Sequence, residues 1–195
     1  MPKTENPQPL QYGTVYHIVN RGNNKGNIFN EERNYVHFLN LWKKHIAPVA
    51  DTYGYCLLKN HFHAMIFVKN QADIEVERSP SQAFSNFFNA YAQGFNKAYS
   101  RVDALFKHPF GRIIVDDAAY QNHLLLYIQT NAQKHGFVED FKQYPHSSYH
   151  SHLSNAPTLL LRDEVLSWFG GREGYIQAHE DYKEGLDRRF YLEEE

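Results

Sequence analysis

Two histidines stand two residues apart inside an apolar run, Lys59-Asn60-His61-Phe62-His63-Ala64-Met65-Ile66. Because successive side chains of a β-strand point to opposite faces, His61 and His63 share one face of the strand that this run predicts. Neutral imidazole is the commonest protein ligand for a catalytic metal, so the pair is half of a candidate metal site. A lone pair of this kind is usually a metal-free surface or core pair, so its meaning depends on what joins it.

A hydroxyl and an amide occur together further along the chain, in Tyr127-Ile128-Gln129-Thr130-Asn131. Tyr127 and Asn131 are four residues apart in a predicted helix, which places them about one turn apart on the same face. Taken alone, Tyr127 is one of 14 tyrosines and its default role is packing. Asn131 alone could equally hydrogen-bond the backbone near the helix end.

The two groups together suit phosphodiester transfer. If the helix face with Tyr127 and Asn131 meets the strand face with His61 and His63, two imidazoles, one amide oxygen and one phenol share a site. A divalent cation would polarise a phosphate oxygen and neutralise developing charge, and the phenol would hold the phosphoryl group covalently. A mixed nitrogen and oxygen ligand set with open positions fits Mg²⁺ or Mn²⁺.

The rest of the sequence predicts the elements that must position these groups. Strands are predicted at Thr14–Arg21, Thr52–Leu58, His61–Val68 and Arg112–Val115, and helices after Asn30, Ser79 and Asp116-Asp117 as caps, the third ending near His135 before Gly136. This β-α-β-β-α-β order followed by a helix predicts an α+β, ferredoxin-like split βαβ fold with a central antiparallel sheet. We expect a flexible N-terminal arm over residues 1–11, a catalytic domain over residues 12–150 and a C-terminal helical extension over residues 151–195.

Composition limits the class of protein. The 195 residues are 42% hydrophobic and carry a net charge of −2, which fits a globular protein and excludes a generally basic body. The one cysteine, Cys56, excludes a disulfide framework and is expected to be a buried, inert thiol. No signal-like or membrane-length apolar run occurs, so we expect a cytoplasmic protein with no membrane partner.

Any contact with nucleic acid must therefore come from a local cationic patch. The candidates that flank the predicted site are Arg21, Lys25, Lys97, Lys107 and Arg112. Individually such residues are more often solvated surface charges. As a set they could contact phosphates and make DNA binding depend on salt.

Four ordered segments resemble one protein family. They are Tyr16-His17-Ile18-Val19-Asn20-Arg21-Gly22; Leu58-Lys59-Asn60-His61-Phe62-His63; Phe110-Gly111-Arg112-Ile113-Ile114-Val115-Asp116-Asp117; and Tyr127 through Val138 with Tyr144-Pro145-His146-Ser147-Ser148-Tyr149. His-Phe-His resembles the signature of the HUH single-strand nucleases, and the tyrosine helix resembles that of IS200/IS605-type transposases. The nearest likeness is to the REP-associated tyrosine transposases, and it spans roughly residues 12–150. The chain departs from the family in having Ala132 where proline often follows the asparagine.

The resemblance implies roles for particular residues. Tyr127 would be the nucleophile, and His61, His63 and Asn131 would be the metal ligands. The family cleaves and rejoins single-stranded DNA through a 5′-phosphotyrosine, acting on hairpin or palindromic repeat DNA. Its members act as dimers in some branches and as monomers in others, so a homodimer is one of two states that the likeness implies.

Two other functions remain open from sequence. A domesticated regulator would bind hairpin DNA with little catalysis, although a binder has no need of Tyr127 with Asn131. A zinc hydrolase would use the histidine pair but needs a further His, Asp or Glu at the site, and the sequence indicates none.

Overall fold

The structure is a computed structural model that describes residues 8–182. Most of the predicted N-terminal arm, and residues 183–195 of the predicted C-terminal extension, lie outside the described residues. The strands are β1 (Thr14–Arg21), β2 (Ala50–Leu58), β3 (His61–Val68) and β4 (Gly111–Ile114), and the helices are α1 (Glu32–His45), α2 (Pro80–Ala98), α3 (Ala118–Lys134), α4 (Tyr149–Leu153), α5 (Arg162–Trp168) and α6 (Arg172–Asp181). Short 3₁₀ turns connect several of these elements.

The four strands form one sheet in the order β2-β3-β1-β4. All three pairings are antiparallel, and β1 and β3 lie at the centre. This is the predicted ferredoxin-like arrangement, in which the third strand inserts between the first two. Because β3 is a central strand, a side chain fixed on it has neighbours from β1 and β2 on its own face.

Alternation along the strands creates two cores, one on each face of the sheet. On the first face Ile18, Phe62 and Ile66 pack with the aromatic stripes of α1 and α2. On the other face Met65 packs with α3, α5 and α6, including Leu124, Tyr127, Val165 and Tyr175. His61 and His63 lie on this second face, since Phe62 belongs to the first.

The structure confirms two of the three predicted helix N-caps and corrects the third. Ser79 accepts a hydrogen bond from the backbone N–H of Gln82, and Asp117 accepts from Ala119 and Tyr120, as predicted. The predicted cap at Asn30 is wrong, because the N-cap position of α1 is Glu31. The Asn34 backbone N–H donates to the Glu31 carbonyl oxygen, while Asn34 Oδ1 accepts from the backbone N–H groups of Asn30 and Glu31.

Gly54 sets how closely α3 approaches the sheet. A Cβ atom at this position would lie 2.5 Å from the Leu125 side chain and 3.1 Å from Ser148 Oγ. The β2–β3 register also shifts between Thr52 and Gly54. The missing side chain therefore lets α3 lie directly on β2, which fixes the depth of its inner face.

Two further sequence expectations can be compared with the structure. Cys56 is fully buried on β2, and burial raises its thiol pKa, as expected of an inert cysteine. Within residues 8–182, no helix combines the length and apolar character that crossing a membrane would require.

Candidate active site

Strand β3 presents the histidine pair to helix α3. The rings of His61 and His63 lie 5.2 Å apart between centroids, nearly perpendicular to one another. His63 is buried, with 3% of its surface exposed. His61 is partly exposed at the start of the strand, so the pair runs from the protein interior toward its surface.

Helix α3 brings Tyr127 against the same face. Its ring centroid is 5.7 Å from that of His63 and 6.4 Å from that of His17, both in edge-on contacts. The Lys134 ammonium lies 4.8 Å from the centroid of the Tyr127 ring, a cation–π contact. The strand face and the helix face therefore meet, which is the geometry that the proposed chemistry requires.

Asn131 lies one turn beyond Tyr127 and is fully buried. The next residue on the same stripe, His135, contacts His61 at 4.8 Å between ring centroids. Since Tyr127 and His135 face the two histidines of β3, Asn131 lies between them and faces the same strand. Within the described part of the chain, neither Oδ1 nor Nδ2 of Asn131 has a hydrogen-bond partner.

A buried, unpaired amide is costly in a folded protein, by about 1–3 kcal/mol. Such a group is an indication that a ligand completes the site. An amide oxygen that faces the strand carrying two imidazoles gives a donor set suited to Mg²⁺ or Mn²⁺. The residues present therefore fit a divalent cation. Among residues 8–182, no group of three or more His, Cys, Asp or Glu side chains is arranged to hold a metal.

Two neighbouring side chains engage the Nδ1 atoms of the histidine pair. Asn60 Oδ1 lies 2.8 Å from His61 Nδ1 and accepts its hydrogen. His17 Nε2 lies 2.9 Å from His63 Nδ1. Burial lowers the pKa of His17 to about 3 and holds that of His63 well below its ordinary value, so both imidazoles are neutral near pH 7.

Sequence reasoning missed His17 and His135 as members of this site. His17 stands within a resembling segment but far from His63 along the chain, and only the β1–β3 register brings the two together. His17 pairs with Met65 and Val19 pairs with His63, which makes His17 the diagonal neighbour of His63 on one face. The sequence offered one signal, a histidine inside the predicted first strand and inside a segment that resembles the family.

A cleft of about 740 Å³ opens beside the histidines. It is lined by Arg21, Lys25, Lys107 and Arg112 together with His61, His63 and His135. No Asp or Glu appears among its described lining residues, so its potential is positive and suits a phosphate backbone. Lys97 lies on the exposed surface of α2 and does not line this cleft.

A buried polar network holds α3 against the C-terminal helices. Gln129 Nε2 donates to Ser148 Oγ at 2.7 Å. Gln129 Oε1 accepts from the Tyr175 hydroxyl at 2.7 Å and from His179 Nε2 at 2.8 Å. Because Gln129 is two residues from both Tyr127 and Asn131, α6 helps to fix the rotation of the helix that carries them.

Stability is expected to fall with acid because His179 is buried in this network. Burial lowers its pKa from 6.5 to about 4. A group with a lowered folded pKa contributes fully above the unfolded value, so stability is present above pH 6.5 and is lost as pH falls toward 4. The loss reaches about 3 kcal/mol for this one residue. Denaturant melts at several pH values measure it.

The matched control is a histidine outside the network. We expect His179→Gln, whose amide can still donate to Gln129, to have a shallower acid dependence than the wild type. His108→Gln on the exposed surface should leave the slope unchanged. Equal slopes in all three proteins would show that His179 titrates as it does in the unfolded chain.

The comparisons with known sequences and with solved structures differ in what they find. No protein-family model matches this sequence, and no curated protein matches it. Among solved structures, the chain is similar to a REP-associated tyrosine transposase bound to a REP hairpin, with a TM-score of 0.58 and 17% sequence identity. The alignment covers 80% of this chain and 88% of that chain.

At this identity the likeness bears on architecture. It agrees with the α+β architecture and four-stranded antiparallel sheet that the sequence predicted as a ferredoxin-like fold. The chain therefore has the fold of a REP-associated tyrosine transposase.

Proposed function

We propose that this protein is a metal-dependent single-strand DNA endonuclease and strand transferase that acts on hairpin or palindromic repeat DNA. The observation that carries the proposal is the packing of Tyr127 against His63, at 5.7 Å between ring centroids. One turn away lies the buried Asn131 amide, which has no hydrogen-bond partner among residues 8–182. A structural tyrosine would not need a buried polar neighbour left without a partner. The similar transposase structure holds a REP hairpin, which supports hairpin DNA as the substrate class.

In the proposed reaction Tyr127 attacks a backbone phosphorus in line with the departing 3′ oxygen. A bond forms between the phenolic oxygen and phosphorus, and the bond from phosphorus to the 3′ oxygen breaks. The phenol loses its proton and the departing oxygen gains one, leaving a 5′-phosphotyrosine and a free 3′-hydroxyl. The phosphodiester energy is retained, so a second 3′-hydroxyl can reverse the step and join strands.

The other residues of the site bind and position. His61, His63 and Asn131 would hold a divalent cation, which when bound supplies charge neutralisation at the phosphate. Lys134, close to the Tyr127 ring, adds positive charge near the developing dianion. Arg21, Lys25, Lys107 and Arg112 would contact flanking phosphates from the walls of the cleft.

The test uses a hairpin with a single-stranded flank, labelled in turn at its 5′ and 3′ ends, with the full-length protein and Mn²⁺. We expect the 3′ label to remain on the protein after denaturation and the 5′-labelled fragment to leave with a 3′-hydroxyl that a polymerase extends. EDTA should remove both products. Hairpin binding without cleavage in Mg²⁺ or Mn²⁺ would instead identify a DNA-binding regulator, and esterase activity without DNA affinity would identify a hydrolase.

We expect the cationic side chains of the cleft to contribute to the salt dependence of hairpin binding. Lys107→Ala should reduce the slope of log K against log salt concentration by about 1, since one phosphate contact is lost. Lys97→Ala, which removes the same charge away from the cleft, is the matched control and should leave the slope unchanged. Fluorescence anisotropy titrations between low and moderate salt measure both. An equal change in both variants would mean that binding does not use this cleft.

A further inference from the structure

His17 has a contact that the proposed reaction does not by itself explain. It lies fully buried on β1, and its Nε2 is 2.9 Å from Nδ1 of His63. The two rings are nearly parallel, with centroids 5.1 Å apart and an interplanar angle of 28°. A hydrogen bond between two ring nitrogens requires one to donate and the other to accept, and this choice decides which nitrogen of His63 keeps its lone pair.

We propose that His17 is a positioning residue that accepts the Nδ1 hydrogen of His63 and thereby presents the Nε2 lone pair of His63 to a divalent cation. This inference rests on the proposed function, because it gives His63 the role of metal ligand. Metal-binding histidines generally donate their second ring N–H to a fixed acceptor, which sets both tautomer and ring orientation. Here the acceptor would be a neutral imidazole on the neighbouring strand.

The second histidine of the pair has an equivalent arrangement. His61 Nδ1 is held by Asn60 Oδ1 at 2.8 Å, which likewise leaves Nε2 as the nitrogen with the lone pair. Two different side chains thus engage the same ring atom in both histidines. Simple packing would not require both contacts to fall on Nδ1, whereas a shared ligand for the two Nε2 atoms would.

The position of His17 in the sheet makes the contact rigid. Val19, two residues after His17 on the same face, is the Cα partner of His63 in the β1–β3 ladder, and the Tyr127 ring of α3 contacts both imidazoles edge-on. The His63 ring is therefore restrained from the strand and from the helix. Such restraint favours a preorganised ligand, which loses little entropy on binding.

The first experiment measures the His63 tautomer without metal. Long-range ¹H–¹⁵N spectra of the wild type should show the Nδ1–H form at His63, with Nε2 unprotonated. In His17→Leu, which removes the acceptor, we expect a mixture of both tautomers. An Nε2–H form of His63 in the wild type would overturn the inference whether or not the protein cleaves DNA.

The second experiment measures Mn²⁺ affinity by electron paramagnetic resonance of the free ion. His17→Leu should bind Mn²⁺ about 10–100-fold more weakly than the wild type. His17→Gln, whose side-chain oxygen can still accept from His63, should recover most of the affinity. Thermal melts identify any variant that fails to fold. If His17→Leu does not fold, the Mn²⁺ affinity of His17→Gln and the wild-type His63 tautomer together test the positioning role.

The outcomes separate the two proposals. Wild-type affinity in a folded His17→Leu variant would contradict the positioning role and leave the proposed function intact. Tight Mn²⁺ binding that depends on His17, in a protein that forms no covalent DNA adduct, would support the positioning role and contradict the proposed function.

Discussion

Replacing Tyr127 with phenylalanine is expected to abolish the covalent protein–DNA adduct and to lower strand cleavage by roughly 10³-fold or more, as loss of a nucleophile does in other covalent enzymes. The phenyl ring keeps the edge-on contacts with His17 and His63, so the fold and hairpin affinity should change little. Denaturing gels of labelled hairpin DNA with Mn²⁺ measure the adduct, and anisotropy measures the affinity.

The matched control is Tyr120→Phe, which removes a hydroxyl from another buried tyrosine of α3. We expect that variant to form the adduct at the wild-type rate. An adduct that persists in Tyr127→Phe would show that another residue attacks the phosphate. Loss of hairpin binding along with the adduct would mean that the substitution disturbed the cleft instead.

Replacing Asn131 with leucine is expected to stabilise the protein while removing its metal affinity. Both polar atoms of this buried amide lack a partner in the described part of the chain, and a similarly shaped apolar side chain removes a cost of about 1–3 kcal/mol. For a chain of this size the melting temperature should rise by about 3–10 °C. Calorimetry and Mn²⁺ binding measure the two effects on one sample.

Asn131→Asp is expected to have the opposite effects on stability and metal affinity. It retains an oxygen donor, so Mn²⁺ binding should persist, but a buried carboxylate should lower the melting temperature in the absence of metal. Added Mn²⁺ should then raise the melting temperature of Asn131→Asp and leave that of Asn131→Leu unchanged. If Asn131→Leu melts below the wild type, the amide is a structural residue and not a ligand waiting for its cation.

Local sequence patterns were sufficient for the elements of the fold. The strand bounds of β1 and β3 agree with the prediction to the residue, because both are short runs of β-branched and aromatic residues with clear turn residues around them. The caps at Ser79 and Asp117 were equally readable, since a short polar side chain directly precedes each helix. The error at Asn30 arose where two adjacent polar residues competed for one cap.

The depth and orientation of α3 were not readable from its sequence. Its apolar residues surround the helix, because the sheet covers one side and α6 with the 3₁₀ turn Phe141–Gln143 covers the other. Periodicity therefore cannot identify which face meets β3. Gly54, which admits the helix to β2, and Gln129, which ties it to α6, decide that face, and both act through residues distant in the chain.

By itself, the sequence determined the histidine pair, the tyrosine and asparagine one turn apart, and the order of the strands and helices, because each depends on neighbours along the chain. Only the tertiary structure decided that these groups meet. Only the tertiary structure likewise shows that His17 contacts His63, and that four of the five candidate cations line the cleft. The physical reason is that sheet register and helix packing are set by long-range burial, which no local pattern encodes.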